Sequence, residues 1–277
     1  MIHYTHPRLA TRAFEVALIG AGGSGSLMLT RLARLAYAMR ALGHPGFKVT
    51  VYDPDTVSEA NIGRQMFSPS DVGFHKAHIL VDRVNRFFGL PWQSMAVRYG
   101  DGEHGEGDGD LVVVCVDSRH ARRAIHNSLR ARWMNSYVLD LGNRASDGQV
   151  VLGQVIARRH GERAREGKSR KETPPNHVDL PDPYQLLPEL VNTKIAEDDT
   201  PSCSVAEALE RQELFVNDDV VNSGAEILLN MLRHGQLEWH GAFTNSRTGK
   251  RQVINVDPAL WKRMAVGNGA KARKGKR

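Results

Sequence analysis

Gly20, Gly22 and Gly25 stand as G-x-G-x-x-G within the stretch LIGAGGSGS, with Gly23 as a fourth glycine among them. The loop follows a short apolar run and precedes a helical pattern. In that context glycines let a backbone turn tightly and approach a phosphate at a helix N-terminus. No Lys-Ser or Lys-Thr pair follows the last glycine, so this is not a Walker A loop. Asp53 and Asp55 close the next apolar run, where a carboxylate accepts hydrogen bonds from a ribose. A ribose partner suits NAD and ATP equally, and the distance from the glycines exceeds the ~20 residues usual for dinucleotide folds. These residues point to a nucleotide without choosing it.

The choice comes from DPDTVSEANIGRQMF and the VGFHKAH that follows. Asn61, Arg64, Gln65 and Lys76 come soon after the ribose carboxylate. An NAD site has no use for so many phosphate-seeking groups there, whereas a triphosphate has. A helix N-terminus contributes only about 0.3–1 kcal/mol towards an exposed negative charge. ATP held for attack at its α-phosphate therefore needs fixed cations, and Arg64 offers a planar fork where Lys76 offers a point charge. His75 and His78 share a helical i,i+3 spacing, but with no third ligand apparent they read as ordinary helix residues.

Placing these groups together requires strands that end near one another. EVALIG (Glu15 to Gly20), FKVTVYDPD (Phe47 to Asp55), a short run near Met95 to Tyr99, LVVVCV (Leu111 to Val116), YVLDLG and QVVLGQVIA read as strands. Helical spacing covers Leu27 to Leu42, His75 to Phe88 and Arg119 to Trp133. The alternation predicts an α/β fold, a Rossmann-like doubly wound and mostly parallel sheet. The expected organisation is a nucleotide-binding core over 1–157, a basic and proline-rich linker or crossover loop over 158–202, a completing C-terminal part over 203–263 and a disordered basic tail over 264–277. That C-terminal part reads as helices over Ser204 to Phe215 and Asp219 to His234, then a closing strand pair in LEWHGAFTN and RQVINVD.

Composition of 41% hydrophobic and 25% charged residues is that of a soluble globular protein. No apolar run approaches the ~20 residues that span a bilayer, and the N-terminal MIHYTHPRLATRAFE has no secretory pattern. A cytoplasmic location without membrane contact is expected. The net charge of +6 gathers in RRHGERAREGKSRK and KARKGKR. Such runs attract nucleic acid or an acidic partner weakly, and serve equally as solvated segments. Gly100 to Asp110 reads as an exposed acidic turn without an EF-hand pattern.

The pieces GAGGSGS, DPDTVSEANIGRQ, VGFHKA and DLVVVCVDSRHARR, in this order, resemble the E1-like activating enzymes, the ThiF, MoeB and HesA family. The later GAEILLNMLRHG resembles that family's C-terminal helix. The resemblance implies an ATP-dependent adenylyltransferase whose Gly20 to Gly25 backbone borders the nucleotide and whose Asp53 holds the ribose. It implies phosphate contacts from Asn61, Arg64 and Lys76 with Gln65 in support, and Mg2+ on Asp117. The implied substrate is the C-terminal carboxylate of a small ubiquitin-like or sulfur-carrier protein ending in glycine, and a homodimer is the implied assembly.

The chain also departs from the family. Its only cysteines, Cys115 and Cys203, cannot form the two CxxC pairs of a structural zinc, so no such zinc is expected. It lacks the N-terminal RYxRQ pattern that supplies an arginine to a neighbouring subunit, for which Arg8 and Arg12 are the available substitutes. DDTPSCSVAEAL around Cys203 resembles the thioester context of eukaryotic activators. A thiolate there takes the acyl group from AMP, or else the cysteine simply packs. The second half looks most like the ThiF-type proteins of PRTRC plasmid-associated systems. An NAD-dependent oxidoreductase and a non-catalytic nucleotide-binding scaffold are the alternatives to adenylation.

Overall fold

The computed structural model describes residues 1–100, 109–131, 135–156, 174–195 and 212–265. Cys203, most of the acidic turn, the basic runs and 204–211 of the helix expected over Ser204 to Phe215 lie outside the described residues, and the remainder, 212–215, is bend and turn rather than helix.

The strands are β1 (His3–Tyr4), β2 (Phe14–Ile19), β3 (Phe47–Tyr52), β4 (Gln93–Met95), β5 (Leu111–Val114), β6 (Ser136–Asn143), β7 (Asp147–Val155), β8 (Gln236–Leu237), β9 (Trp239–Asn245) and β10 (Lys250–Asn255). The helices are α1 (Arg8–Thr11), α2 (Gly23–Ala41), α3 (Lys76–Phe88), α4 (Arg119–Ala131), α5 (Pro183–Leu186) and α6 (Val216–His234). Eight strands form one sheet in the order β10-β9-β7-β6-β5-β2-β3-β4. From β4 to β6 the neighbours are parallel, and from β6 to β10 they are antiparallel. The α/β class and the parallel half agree with the reading of the sequence. Within that half β3 and β5 flank β2, so the winding reverses between β2 and β5 and opens a crevice at their C-terminal ends, where such sheets bind ligands.

Alternate residues of each central strand enter two cores. Val16 and Leu18 pack with Met28, Leu29 and Leu32 of α2 and Ile227, Leu228 and Met231 of α6. Ala17, Ile19, Val112 and Val114 pack on the other face with Ile125 and Leu129 of α4 and Tyr184 of α5. Burial on both faces explains the unbroken apolar runs. The stretch expected as a linker therefore contains, in α5 and its flanks, buried residues seated on the sheet: Leu180, Tyr184, Leu186 and Leu187. Among the described residues no helix is long and apolar enough to cross a membrane.

Candidate functional site

The loop after β2 enters α2 at Gly23, four residues before the apolar period begins at Leu27. Each glycine answers a different constraint. Gly20 has φ +92°, and a Cβ there would lie 2.8 Å from the Cys115 carbonyl oxygen of the neighbouring strand exit. At Gly25 a Cβ would sit 1.9 Å from the Gly20 carbonyl oxygen, so this glycine lets the helix close onto the turn. A Cβ on Gly23 would come within 2.8 Å of the Asn217 side chain. Gly22 is the exception, since its nearest neighbour would be Gln65 Nε2 at 4.0 Å. Among the described residues, nothing comes closer to its open side.

β3 delivers Asp53 beneath this loop. One carboxylate oxygen accepts the Ala21 N–H, and the other accepts the Asp55 N–H at 2.8 Å. Burial pushes the Asp53 carboxyl above its ordinary value, against those hydrogen bonds and the nearby Lys76 charge. The expected ribose acceptor is thus also the clamp of the glycine loop. Each carboxylate oxygen keeps a second lone pair.

Between β3 and α3 the chain is stapled rather than loose. Asn61 Oδ1 accepts the Ser58 N–H at 2.9 Å, and Asp71 Oδ2 accepts the Ser68 N–H at 2.7 Å. Arg83 of α3 reaches back to the Met66 carbonyl at 2.7 Å and to Asp71. Met66 N–H donates to Ser26 Oγ at 3.3 Å, which brings the Arg64–Gln65 turn against the first turn of α2. Among the described residues Gln65 Oε1 is buried without a hydrogen-bond partner, and Gln65 Nε2 lies 4.0 Å from the Cβ position of Gly22.

Lys76 is the first residue of α3, where the helix dipole disfavours a cation. It is nevertheless buried, and its Nζ lies 3.1 Å from Asp55 Oδ2. Arg64 is half-buried, donates through Nη2 to Gln212 Oε1 at 2.7 Å, and has its pKa lowered by burial. Asp117 follows β5 at the crevice and is exposed; its carbonyl accepts Arg122 Nη1 at 2.9 Å. Arg122 also pairs through Nε with fully buried Asp140 at 3.0 Å, and Tyr184 Oη donates to the same carboxylate at 3.0 Å. Burial raises the Cys115 thiol far from any reactive range, as expected for a packing residue.

The structure thus gathers the glycine loop, Asp53, Asp55, Gln65, Lys76 and the start of the Asp117 turn at one end of the sheet. Arg64 adjoins them with its guanidinium on Gln212, and Asn61 serves as a cap in its own turn. Arg8 and Arg12 belong elsewhere. They pair with buried Asp110 at 3.4 Å and 2.8 Å, at the entrance of β5 and so at the opposite end of the sheet. Within this chain both are therefore engaged with Asp110 and stand away from the glycine loop. Among the described residues, His3, His177 and Asp179 have a metal-like spacing. All four ring nitrogens already meet protein partners: Val178 O, Tyr137 Oη, Tyr4 N and Asp179. Reading the sequence missed Asn217, Gln212 and the Arg122–Asp140–Tyr184 cluster. Only Asp140, a charge inside the apolar run YVLDLG, carried a signal.

Residues 8–178 match the model of the ThiF family. The chain is similar to ubiquitin-like modifier-activating enzyme 5 of Arabidopsis thaliana, at 31% identity over 46% of this chain and 32% of the relative. It is 32% identical to the protein of the same name from Gallus gallus, over 51% of this chain and 37% of the relative. The chain thus spans about a third of the length of these relatives. Its fold is shared by E. coli MccB solved with ATP, with TM-score 0.54 and 16% identity over 90% of this chain and 64% of MccB. PaaA shares it too, with TM-score 0.56 and 14% identity over 90% of this chain and 65% of PaaA.

Proposed function

This chain belongs to the ThiF family, and on that premise we propose that it is an E1-like adenylyltransferase. It uses ATP and Mg2+ to activate the C-terminal carboxylate of a small ubiquitin-like or sulfur-carrier protein. The observation that carries the reading is the asymmetry of the glycine loop. Gly20 and Gly25 are demanded by backbone neighbours and Gly23 lies against Asn217, while among the described residues Gly22 meets nothing closer than Gln65 Nε2 at 4.0 Å, at the end of the sheet that also carries a buried lysine. Support comes from relatives named as ubiquitin-like modifier-activating enzymes and from MccB solved with ATP and with MccA-N7isoASN.

In this reading a carboxylate oxygen of the partner attacks the α-phosphorus and the bond to the β,γ-pyrophosphate breaks. The products are an acyl-adenylate and pyrophosphate. A carboxylate is already ionised at neutral pH, so no general base is needed, and catalysis rests on positioning and charge neutralisation. Asp53 holds the ribose with its remaining lone pairs. Lys76, Arg64 and Asn61 contact the phosphates with Gln65 in support, Asn61 Oδ1 also capping its own turn and Asp55 holding Lys76. Mg2+ commonly keeps several waters and takes one or two carboxylates plus substrate phosphates, so Asp117 suffices as its protein donor.

Incubating the full chain with ATP, Mg2+ and a small protein ending in glycine tests the proposal through exchange of labelled pyrophosphate into ATP. Exchange that requires the partner is expected; none with ATP bound, or binding of NAD in preference, contradicts it. Cys203→Ala should leave exchange intact. Loss of a thiol-sensitive conjugate in that variant alone identifies Cys203 as the acceptor, and an unaltered product removes that role.

A further inference from the structure

The glycine fingerprint needs only Gly20, Gly22 and Gly25, and Gly23 has no positive φ that would demand glycine. A side chain at Gly23 would displace the carboxamide of Asn217, in the first turn of α6. Ser24 Oγ donates to Asn217 Oδ1 at 2.9 Å, with Ser24 6% and Asn217 5% exposed. That bond commits the carboxamide oxygen and leaves Nδ2 nearest the position a Gly23 Cβ would take. Among the described residues Nδ2 has no hydrogen-bond partner. The first turn of α2 has no side-chain cap of its own, because its N-cap is Gly22. Five residues upstream Gln212 holds Arg64, so the segment entering α6 touches the site at both ends.

We propose that Asn217 is a phosphate-binding residue, its Nδ2 donating to an oxygen of the triphosphate bound over Gly22 at the start of α2. The assignment rests on the adenylation reading above. It accounts for three facts together: a buried amide with unused donors, a fourth glycine that makes room for it, and a helix N-terminus left open to an anion. Asn217 Nδ2 is not among the fully enclosed unpaired atoms, so it stays open to a ligand, and a bond from it to an ionised phosphate is a strong one. Ser24 is then a positioning residue that fixes the rotation of the carboxamide.

Calorimetric titration of the full chain with ATP and, separately, with adenosine tests the assignment. Asn217→Asp keeps the acceptor for Ser24 but replaces the donor with a charge facing the phosphate. It should weaken ATP binding by about tenfold or more while adenosine binding stays within about twofold. Asn217→Ala, which buries no charge, should weaken ATP by about tenfold with the same indifference to adenosine, and decides the matter if the aspartate variant fails to fold. Equal weakening of both ligands, or ATP binding as in the parent chain, overturns the proposal. A parent chain that binds adenosine no worse than ATP contradicts the triphosphate site itself rather than Asn217 alone.

Discussion

The carboxylate of Asp53, at the exit of β3, accepts the backbone N–H of Ala21 in the loop after β2. Two strand ends are thereby locked by one buried side chain whose other oxygen holds Asp55 N–H. Asp53→Asn turns one of these acceptors into a donor and leaves a backbone N–H unmet, at a cost of about 1–3 kcal/mol. The variant should melt at lower temperature in calorimetry and bind ATP more weakly. Unchanged values of both would separate Asp53 from the loop.

The glycines should fail in different ways. Gly25→Ala forces a Cβ into the Gly20 carbonyl, which is backbone and cannot yield, so about 3 kcal/mol or more of stability should be lost. Gly22→Ala meets nothing closer than 4.0 Å, so it should fold normally and lose ATP binding instead. Urea unfolding together with ligand titration reads both. A Gly22→Ala chain that binds ATP as before contradicts the reading of the bare face.

Arg122 of α4 binds three groups: Asp140 and the Leu141 carbonyl, both of β6, and the Asp117 carbonyl after β5. Removing one partner of so buried a pair typically costs about 3–5 kcal/mol, whereas replacing both with apolar groups is often neutral. Arg122→Met should therefore be far less stable than Arg122→Met with Asp140→Leu in denaturant titrations. Equal instability of the two would show that Arg122 acts through its other contacts.

Much of this architecture was legible because central strands buried on both faces leave continuous apolar runs, and because three glycines at fixed spacing mark a turn. The start of α2 was not, since Gly23 to Ser26 carry no apolar side chain and helical periodicity has nothing to register before Leu27. The antiparallel half was hidden because β7 alternates no differently from a parallel strand, and only its pairing with β6 gives its direction. Phosphate-seeking residues near one another in sequence, Arg64 and Lys76, could be read together. Asn217 could not: its meaning comes from Gly23, nearly two hundred residues away, and a lone asparagine in a helix has no pattern.

Acid should unfold the chain through its buried histidines. Burial lowers His3 and His240 to about 4 from 6.5, so both are neutral in the fold. The unfolded chain then binds up to two more protons between pH 6.5 and 4. The stability they confer is fully present above pH 6.5 and is lost as pH falls towards 4, by up to about 2.7 kcal/mol per pH unit. His240→Gln should flatten that slope by about half in denaturant titrations across this window. An identical slope would show that His240 does not titrate there.

Pyrophosphate exchange in Arg64→Ala and Asp117→Ala tests the central claim most directly. In the presence of ATP, Mg2+ and the small glycine-ending protein, the parent chain should return label from pyrophosphate into ATP. Both variants should fold, as judged by their melting transitions, and lose that exchange. Exchange at the parental rate in either variant would contradict the assigned chemistry.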